Sequence, residues 1–130
     1  MKFLIIIPTH NEEENVLLTL NSLKSQGVQD VTCVIVNDGS TDKTREMVEG
    51  FVDKKQFQLI NLEKSAHSPG AKVVSTFYKG LSSQNLDDFD VICKFDADII
   101  FPEDYLEEIN RIYEENPKAG MVSGLVYIKK

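Results

Sequence analysis

The chain has 130 residues, with 14 Lys and Arg against 21 Asp and Glu, and a formal charge of -7 at pH 7. This length suits one domain with a substantial core. The acidic balance excludes nucleic acid and anionic membrane surfaces as main partners, because both select basic patches. The longest apolar run is FLIII at residues 3–7. It is far short of the roughly 18 residues of a membrane helix, so we predict no membrane span in this chain.

Short apolar runs predict strands that are covered on both faces. Four such runs are KFLIIIP at residues 2–8, DVTCVIVN at 30–37, QFQLINLE at 56–63 and DVICKFD at 90–96, and GMVSGLVYI at 120–128 is also strand-like. Cys33 and Cys93 lie within these runs, at a spacing that fits neither a zinc site nor a disulfide framework. We therefore predict buried free thiols in a reducing cytosol.

The first two connecting segments have apolar residues at helical spacing. In NEEENVLLTLNSLKSQG at residues 11–27, Asn11 is predicted to cap a helix and Gly27 to stop it, and the three glutamates favour its positive end. After DGSTD, the apolar pairs MV and FV mark one face of a second helix. Ser40 or Thr41 is predicted to cap this second helix.

Proline opens the third and fourth predicted helices, since it is favoured in a helix's first turn. Pro69 falls in a helix from about Ser68 to Leu81, and Pro102 opens PEDYLEEINRIYEEN. The inward-facing positions are Val73, Val74 and Phe77 in the third helix and Leu106, Ile109 and Tyr113 in the fourth.

Alternation of strands and helices predicts an α/β fold, a three-layer α/β/α arrangement with a mainly parallel sheet. Such a sheet binds ligands at the carboxyl ends of its strands, near the point where strand order reverses. With the order 3-2-1-4, three polar groups meet at one crevice. They are Thr9, His10 and Asn11 after the first strand, Asn37, Asp38 and Gly39 after the second, and Asp96, Ala97 and Asp98 after the fourth.

Taken singly, several of these residues have a purely structural explanation. Asp38 precedes Gly39 in one of the commonest turn pairs and stabilises such a turn. Glu12 falls in the predicted first turn of a helix, where a carboxylate contributes about 0.3–1 kcal/mol through the helix dipole. His10 alone is a surface loop histidine.

The acidic pair in VICKFDADII, at residues 91–100, is harder to explain by structure alone. In an extended segment Asp96 and Asp98 share a face and repel each other unless a cation or donors lie between them. Two carboxylates are hard oxygen ligands of the kind that Mg2+ or Mn2+ prefers, and these metals complete their shell with water and substrate phosphates. The pair therefore predicts a metal-assisted diphosphate site.

Three segments lie at the ends of the first, second and fourth strands: IIIPTHNEEENV, VIVNDGSTDKT and KFDADIIFPEDYLEEI. In this order the chain resembles, over nearly its whole length, the nucleotide-binding half of family-two glycosyltransferases with a GT-A fold. The resemblance implies a glycosyltransferase that uses a UDP- or GDP-linked sugar, with Mn2+ or Mg2+, for inverting transfer to a saccharide or lipid acceptor. A sugar nucleotidyltransferase or a dinucleotide-binding Rossmann domain needs a glycine-rich loop, and PTHNEEEN contains no glycine.

The resemblance also implies roles for the residues after the first two strands. Pro8, Thr9, His10 and Glu12 match the segment that lines the nucleotide pocket. Many members have Tyr where this chain has His10, and an imidazole can also stack on a base. Asp38 matches the aspartate that recognises the base.

The resemblance gives the acidic pair two different roles. Asp96, Ala97 and Asp98 match the family's D-x-D, in which the first carboxylate lies near the ribose and the second binds the metal on the diphosphate. Ala97 belongs to the predicted nucleotide-binding segment, and both aspartates to the predicted metal site. Lys72, in the first turn of the third helix, is placed to reach the nucleotide, and a solvated lysine is the alternative.

The resemblance implies a further portion beyond residue 130 that holds the acceptor site and the general base. We therefore expect residues 1–130 to be a single nucleotide-sugar-binding domain, truncated before the acceptor-binding half, with no catalytic base of its own. We expect it in the cytoplasm, at the cytoplasmic face of the membrane in the full-length protein. The alternative that stays open is a catalytically incomplete nucleotide-binding or regulatory module.

Overall fold

The computed structural model describes residues 2–27, 30–53, 55–62, 69–115, 121–122 and 125–128. For residues 69–74, 113, 121–122 and 125–128 it describes the backbone alone. No helix in these segments combines the length and the apolar character needed to cross a membrane.

Strands and helices alternate along the described chain, as predicted. In chain order they are β1 (Phe3–Thr9), α1 (Val16–Lys24), β2 (Val31–Asp38), α2 (Thr44–Phe51), β3 (Phe57–Leu62), α3 (Pro69–Ser82), β4 (Val91–Lys94), α4 (Tyr105–Glu115), β5 (Met121–Val122) and β6 (Leu125–Ile128). A short 3-10 turn, Leu86–Asp88, precedes β4.

The strands form one sheet in the order β3-β2-β1-β4-β6-β5. β1 runs parallel to β2 and to β4, and β2 runs parallel to β3. β6 is antiparallel to β4, and β5 is antiparallel to β6. The order 3-2-1-4, on which the meeting of the three polar groups depended, is observed, and the carboxyl ends of β1, β2 and β4 therefore lie at one edge of the sheet.

The sheet separates two apolar cores, because successive side chains of each strand point to opposite faces. Phe3 and Ile5 of β1 pack in the larger core with α1, α2 and α4, and Leu4 and Ile6 pack in the smaller core with Phe77 of α3. Helices thus cover both faces, and the predicted three-layer α/β/α architecture is confirmed. The predicted positions Ser68, Val73, Val74 and Tyr113 fall outside the described side chains.

α3 approaches the sheet closely at Gly80. A Cβ atom at this position would lie 2.6 Å from Ile6 Cγ2 and 3.1 Å from Val36 Cγ2. Contacts under 3.0 Å require something to shift, and Ile6 is fully buried on a central strand. The distance between α3 and the sheet therefore depends on glycine here.

The ends of α1 differ from the prediction. Asn11 is not the cap, because it adopts a left-handed backbone with φ of 51°, and the helix begins only at Val16. At the other end α1 stops at Lys24, and Ser25 rather than Gly27 is its C-cap. Asparagine tolerates the left-handed conformation better than most residues, and Asn11 uses it for contacts described below.

The predicted caps of α2, Ser40 and Thr41, are also wrong. The helix begins at Thr44, whose N–H donates to Asp42 Oδ1 at 2.9 Å. Burial opposes ionisation of Asp42, but hydrogen bonds from Thr44 and from the N–H of Glu13 together outweigh it and lower the pKa of Asp42. The ionised Asp42 therefore stabilises the start of this helix.

The chain between β4 and α4 folds back earlier than predicted. β4 ends at Lys94, short of the predicted strand end, and α4 begins at Tyr105, after Pro102. The ring centroids of Phe95 and Phe101 lie 4.6 Å apart, and the Tyr105 ring lies 5.8 Å and 5.1 Å from them. This aromatic cluster joins the two ends of the connection, which explains why the strand does not continue.

Cys33 and Cys93 are buried free thiols, as predicted. They lie on β2 and β4, each opposite Ile5 of the intervening β1. Burial raises the pKa of Cys93 to about 12, and burial together with the neighbouring Cys93 raises the pKa of Cys33. Both thiols therefore stay protonated and unreactive at neutral pH.

Candidate functional site

The candidate site lies at the edge of the sheet where β1, β2 and β4 end. Thr9 at the end of β1 pairs with Asn37 of β2. Just past β4, the N–H of Phe95 donates to the carbonyl of Ile6 at 3.1 Å. The polar residues after all three strands therefore meet at one edge, as the sequence predicted.

Hydrogen bonds join the loop after β1 to the loop after β2. The N–H of Asn11 donates to Ser40 Oγ at 3.0 Å, and Asn11 Oδ1 accepts the N–H of Thr41 at 2.8 Å. The N–H of Glu12 donates to Thr44 Oγ1 at 2.8 Å. In its left-handed conformation, Asn11 thus bonds to the loop after β2 through both its backbone N–H and its side-chain oxygen. The two loops therefore form one continuous rim.

Asp38 ends β2 and is only 7% exposed. Gly39 follows with φ of 60°, a conformation that glycine adopts without strain. The N–H of Ser40 then donates to Asn37 Oδ1 at 3.3 Å, and Asn37 Nδ2 donates to Asn61 Oδ1 at 3.0 Å. Asn37 and Ser40 close this turn, and base recognition by Asp38 stays a prediction.

His10 connects the two loops at the candidate site. Its Nδ1 lies 2.7 Å from the carbonyl oxygen of Asp38. A carbonyl oxygen only accepts hydrogen bonds, so Nδ1 carries the hydrogen, and Nε2 of the neutral ring is an acceptor. This hydrogen bond holds the ring of exposed His10 beside Asp38. Nε2 lies on the side of the ring away from the bond.

The three residues Asp96, Ala97 and Asp98, here called the acidic turn, follow β4. Ala97 and Asp98 lie in a turn, so the argument that an extended strand places both carboxylates on one face was wrong. Both aspartates are exposed, Asp96 with 71% of its side chain. Water and salt screen charges in such positions, so repulsion alone does not demand a cation. Their predicted ribose and metal roles now depend on their place at the end of β4.

A row of polar residues on α1 holds the chain that contains the acidic turn. The hydroxyl of buried Thr19 donates to the carbonyl of Ala97 at 2.9 Å. Further along, the N–H of Phe101 donates to Ser22 Oγ at 3.0 Å. These two bonds tie α1 to the connection between β4 and α4 on both sides of its exposed tip.

Buried Gln26 lies two residues past the end of α1 and continues the line of Thr19 and Ser22; these three residues are here called the polar row of α1. The side-chain nitrogen of Gln26 donates to the carbonyl of Pro102 at 2.7 Å, and its side-chain oxygen accepts the N–H of Leu106 at 3.0 Å. Sequence reasoning missed all three residues. The available signal was their spacing of three and then four residues, which places side chains on one side of a helix.

Lys94 is a fourth residue that sequence reasoning missed. It is the last residue of β4, only 16% of its side chain is exposed, and its Nζ lies 4.0 Å from Asp96 Oδ1. Lysine side chains are seldom covered unless they are paired. The covered position of Lys94 beside a carboxylate therefore favours a functional cation over a solvated surface charge. The signal was a lysine inside an otherwise apolar strand, two positions before the acidic turn.

The other residues predicted from the first segment lie at the end of β1 and in the loop that follows it. Pro8 belongs to β1 opposite Val36, and the hydroxyl of buried Thr9 donates to the carbonyl of Ile7 at 3.0 Å. Glu12 is half-buried. Lys72 belongs to α3, but its side chain lies outside the described part, so its nucleotide contact stays a prediction.

The described residues contain no group of three or more His, Cys, Asp or Glu side chains placed to hold a metal ion. The acidic turn offers two exposed carboxylates, which are suitable donors for Mg2+ or Mn2+ but too few for a closed site. These residues fit a metal whose remaining ligands are water and phosphate oxygens. The donor set therefore suits a metal that binds together with a nucleotide diphosphate.

Residues 4–130 match the family model of glycosyl transferase family 2. The chain belongs to this family. The match begins at the second residue of β1 and extends past β6, so it includes every element that forms the candidate site.

Two curated relatives show how this family member compares in sequence. A poly-beta-1,6-N-acetyl-D-glucosamine synthase of Staphylococcus epidermidis is 30% identical over 124 residues, which are 92% of this chain and 27% of the relative. The poly(ribitol-phosphate) beta-N-acetylglucosaminyltransferase TarS of Staphylococcus aureus is 38% identical over 72 residues, 54% of this chain and 13% of TarS. The chain therefore spans about a quarter of the first relative's length.

Solved structures show the same fold. Crystal structures of S. aureus TarS residues 1–349 include one in complex with UDP-GlcNAc, with a TM-score of 0.75 and 27% identity over 90% of this chain and 32% of that one. A mannosyltransferase from Pyrobaculum calidifontis, in complex with GDP-Man and Mn2+, has a TM-score of 0.73 and 21% identity over 92% of this chain and 34% of that one. The second likeness concerns the fold alone.

Proposed function

We propose that this chain is the donor-binding part of a glycosyltransferase that binds a nucleoside-diphosphate sugar with a divalent metal for inverting transfer to an acceptor hydroxyl. The observation that carries the proposal is the meeting of buried Asp38, exposed His10 and the acidic turn at one edge of a parallel sheet. That edge is where such sheets bind nucleotides. The likeness to the TarS complex with UDP-GlcNAc supports a UDP-linked donor as the first to test.

Asp38 is assigned to the base in this proposal. A carboxylate accepts a hydrogen bond from the imide N–H of uracil or from the corresponding edge of guanine, whereas adenine has no N–H at its ring N1. His10 lies beside Asp38 with its ring held by the Asp38 carbonyl and provides a flat surface against the base. Pro8, Thr9 and Glu12 line the pocket next to it.

The acidic turn is assigned to the ribose and the diphosphate. Asp96 is placed for the ribose hydroxyls and Asp98 for a Mn2+ or Mg2+ ion, which when bound would stabilise the charge on the leaving diphosphate. Lys94, 4.0 Å from Asp96, adds a positive charge on the same side of the site. Lys94 is therefore the first candidate for the cation that contacts the nucleotide, and Lys72, predicted for this contact, is the second.

Sugar transfer needs a positioned acceptor and a base that removes its hydroxyl proton, in addition to a bound donor. Among the carboxylates at the described crevice, Asp38 is assigned to the base, Asp96 to the ribose and Asp98 to the metal, and Glu12 lines the rim of the pocket. We therefore place the general base and the saccharide or lipid acceptor site beyond residue 130. The domain of residues 1–130 then binds donor without efficient transfer, and a purely regulatory nucleotide-binding module is the alternative.

The test is calorimetric titration of UDP, GDP and ADP into the wild-type chain, with and without Mn2+. We expect UDP or GDP to bind at least about tenfold more tightly with Mn2+, and Asp98→Asn to abolish this gain. Asp88→Asn is the matched control, because it removes the same charge near the opposite edge of the sheet, where Asp88 is exposed before β4. Equal affinities with and without metal in the wild type would remove the metal role.

A second measurement separates the transferase from the regulatory module. UDP-GlcNAc is incubated with Mn2+ and a panel of saccharide and lipid acceptors, first with the chain alone and then with the same protein extended beyond residue 130. Loss of general-base assistance alone typically lowers rates by about 10²–10⁴, so UDP release by the chain alone should stay near background. Release that rises in the extended protein supports a transferase, and release that stays at background supports the regulatory module.

A further inference from the structure

The polar row of α1 packs against the chain that follows β4, although hydroxyl and amide side chains are mostly exposed in proteins. Thr19 and Gln26 are buried, and Val16, Leu20 and Leu23 of the same helix pack in the larger core. Each member of the row bonds to the chain between Ala97 and Leu106. Buried polar groups are costly unless they are paired, so the row is built to hold this connection.

Thr19 is the member that contacts the acidic turn itself. A threonine hydroxyl in a helix ordinarily bonds to a carbonyl of the preceding turn of the same helix. Here it donates across 78 positions of sequence to the Ala97 carbonyl at 2.9 Å, in a buried position. That carbonyl belongs to the peptide between Ala97 and Asp98, and the plane of this peptide sets the direction in which Asp98 leaves the backbone.

The two aspartates have few other contacts that fix their direction. Both are exposed, and the ion pair of Asp96 with Lys94 is long, at 4.0 Å. A pair at this distance with an exposed carboxylate holds the Asp96 side chain only weakly. The β-branched side chain of Thr19 has few rotamers in a helix and is fully buried, so it is the firmest anchor of the turn.

We infer that Thr19 is a positioning residue for metal-dependent donor binding. Its hydroxyl holds the peptide of Ala97 in the orientation that lets Asp98 reach a metal on the nucleotide diphosphate. Thr19 itself touches neither ligand. The ligand of this role is the one in the proposed function, whereas the bond that anchors the acidic turn is observed in the structure.

The test uses three variants of the full chain. Thr19→Val keeps the shape and removes the hydroxyl, Thr19→Ser keeps the hydroxyl, and Ser22→Ala removes the neighbouring bond to Phe101 without touching the acidic turn. Thr19→Ala replaces Thr19→Val if that variant does not fold. For each variant we measure UDP affinity by calorimetry with and without Mn2+, the Tm, and amide hydrogen exchange of residues 96–98.

We expect Thr19→Val to lose about tenfold in UDP affinity with Mn2+, equivalent to about 1.4 kcal/mol, and to change less than twofold without metal. Thr19→Ser should retain affinity within threefold. Ser22→Ala should lower the Tm but leave the gain from Mn2+ unchanged. The amides of Ala97 and Asp98 should exchange faster in Thr19→Val and not in Ser22→Ala.

A merely structural role for Thr19 predicts another pattern. In that case Thr19→Val and Ser22→Ala would lower the Tm alike and leave the Mn2+ gain and the exchange at residues 96–98 unchanged, which would overturn the inference. If the wild type shows no Mn2+-dependent UDP binding, the proposed function fails, and the exchange data then decide the anchoring alone. Faster exchange at Ala97 and Asp98 in Thr19→Val would support it, and unchanged exchange would refute it.

Discussion

Substitution of Gly80 by alanine tests how closely α3 packs on the sheet. The added Cβ would lie 2.6 Å from Ile6 Cγ2, 3.0 Å from Ile6 Cδ1 and 3.1 Å from Val36 Cγ2. The Cγ2 atom is attached directly to the Cβ of a fully buried residue on a central strand, so it cannot swing aside. Either α3 or the strand must move, and overpacking of this kind costs about 1–3 kcal/mol.

Alanine also favours the helix over glycine, by about 1 kcal/mol, and this gain opposes the cost of overpacking. Because the 2.6 Å contact is well below the distance that real Cβ atoms adopt, the cost falls at the upper end of its range. We expect Gly80→Ala to lower the free energy of unfolding by about 1–2 kcal/mol. For a chain of this size that corresponds to a Tm lower by roughly 3–10 °C.

Gly50 in α2 provides the matched control. It is exposed, and a Cβ built on it meets nothing within 4 Å. Gly50→Ala should therefore raise stability by about 0.5–1 kcal/mol through helix propensity alone. Urea and thermal unfolding, followed by circular dichroism, measure both variants. If Gly80→Ala proves as stable as Gly50→Ala, the close packing of α3 on Ile6 is wrong.

Three further predictions concern charged residues. Asp38→Ala should reduce the preference of the site for UDP over ADP by about tenfold, since an unmatched buried polar group costs about 1–3 kcal/mol. Competition titrations measure this preference, and equal affinity of the wild type for UDP and ADP would contradict the assignment. Lys94→Met should weaken UDP binding about fivefold at low salt, by loss of a charge-assisted contact, with exposed Lys55→Met at the opposite edge unchanged; equal losses would exclude a local role. The pKa of Asp42 is lowered in the fold, so its contribution is present above the unfolded pKa and lost as pH falls through the folded pKa. Asp42→Asn should therefore destabilise the chain at pH 7 more than at pH 3 in urea titrations, and equal effects would contradict the assignment.

The strands were predictable because the relevant signals are local, whereas their order entered the sequence argument only as a condition. FLIII, VTCVIV and VICK are apolar runs that only a sheet covered on both faces can bury, and right-handed crossovers limit how such strands are arranged. The edge that carries the site followed from this order. The general position of Asp38 and of the acidic turn could therefore be read from the sequence.

Local patterns failed where a contact joins distant parts of the chain. Asn11 stands before three glutamates, as a helix cap does, but its side-chain oxygen bonds to the N–H of Thr41 instead. Phe95 looks like the continuation of an apolar strand, but its ring packs with Phe101 and Tyr105. The partner of Asn11 lies 30 residues away, outside any short window around it. The partners of Phe95 are only six and ten residues along, but they meet its ring because the chain turns back after β4, which an apolar run does not show.

The polar row of α1 was hidden for the same reason. In sequence, Thr19, Ser22 and Gln26 have the character of a solvated helix face, since uncharged polar residues are mostly exposed. They are covered because the connection after β4 crosses this face of α1, almost eighty residues later in the chain. The composition of a helix face indicates whether it is polar, but its partner decides whether it is buried.

α1 links the two ends of the proposed donor site. Its first turn follows directly from the loop that bonds to the turn after Asp38, since the N–H of Val16 donates to the carbonyl of Glu12 at 2.8 Å, while Thr19 anchors the acidic turn. The base end and the diphosphate end are thus both fixed to one short helix whose other face packs in the larger core. Groups that are fixed before binding lose less entropy when a ligand arrives. Changes that loosen α1 in the core should therefore weaken binding of the whole nucleotide, whereas loss of the Thr19 hydroxyl should weaken only its metal-dependent part.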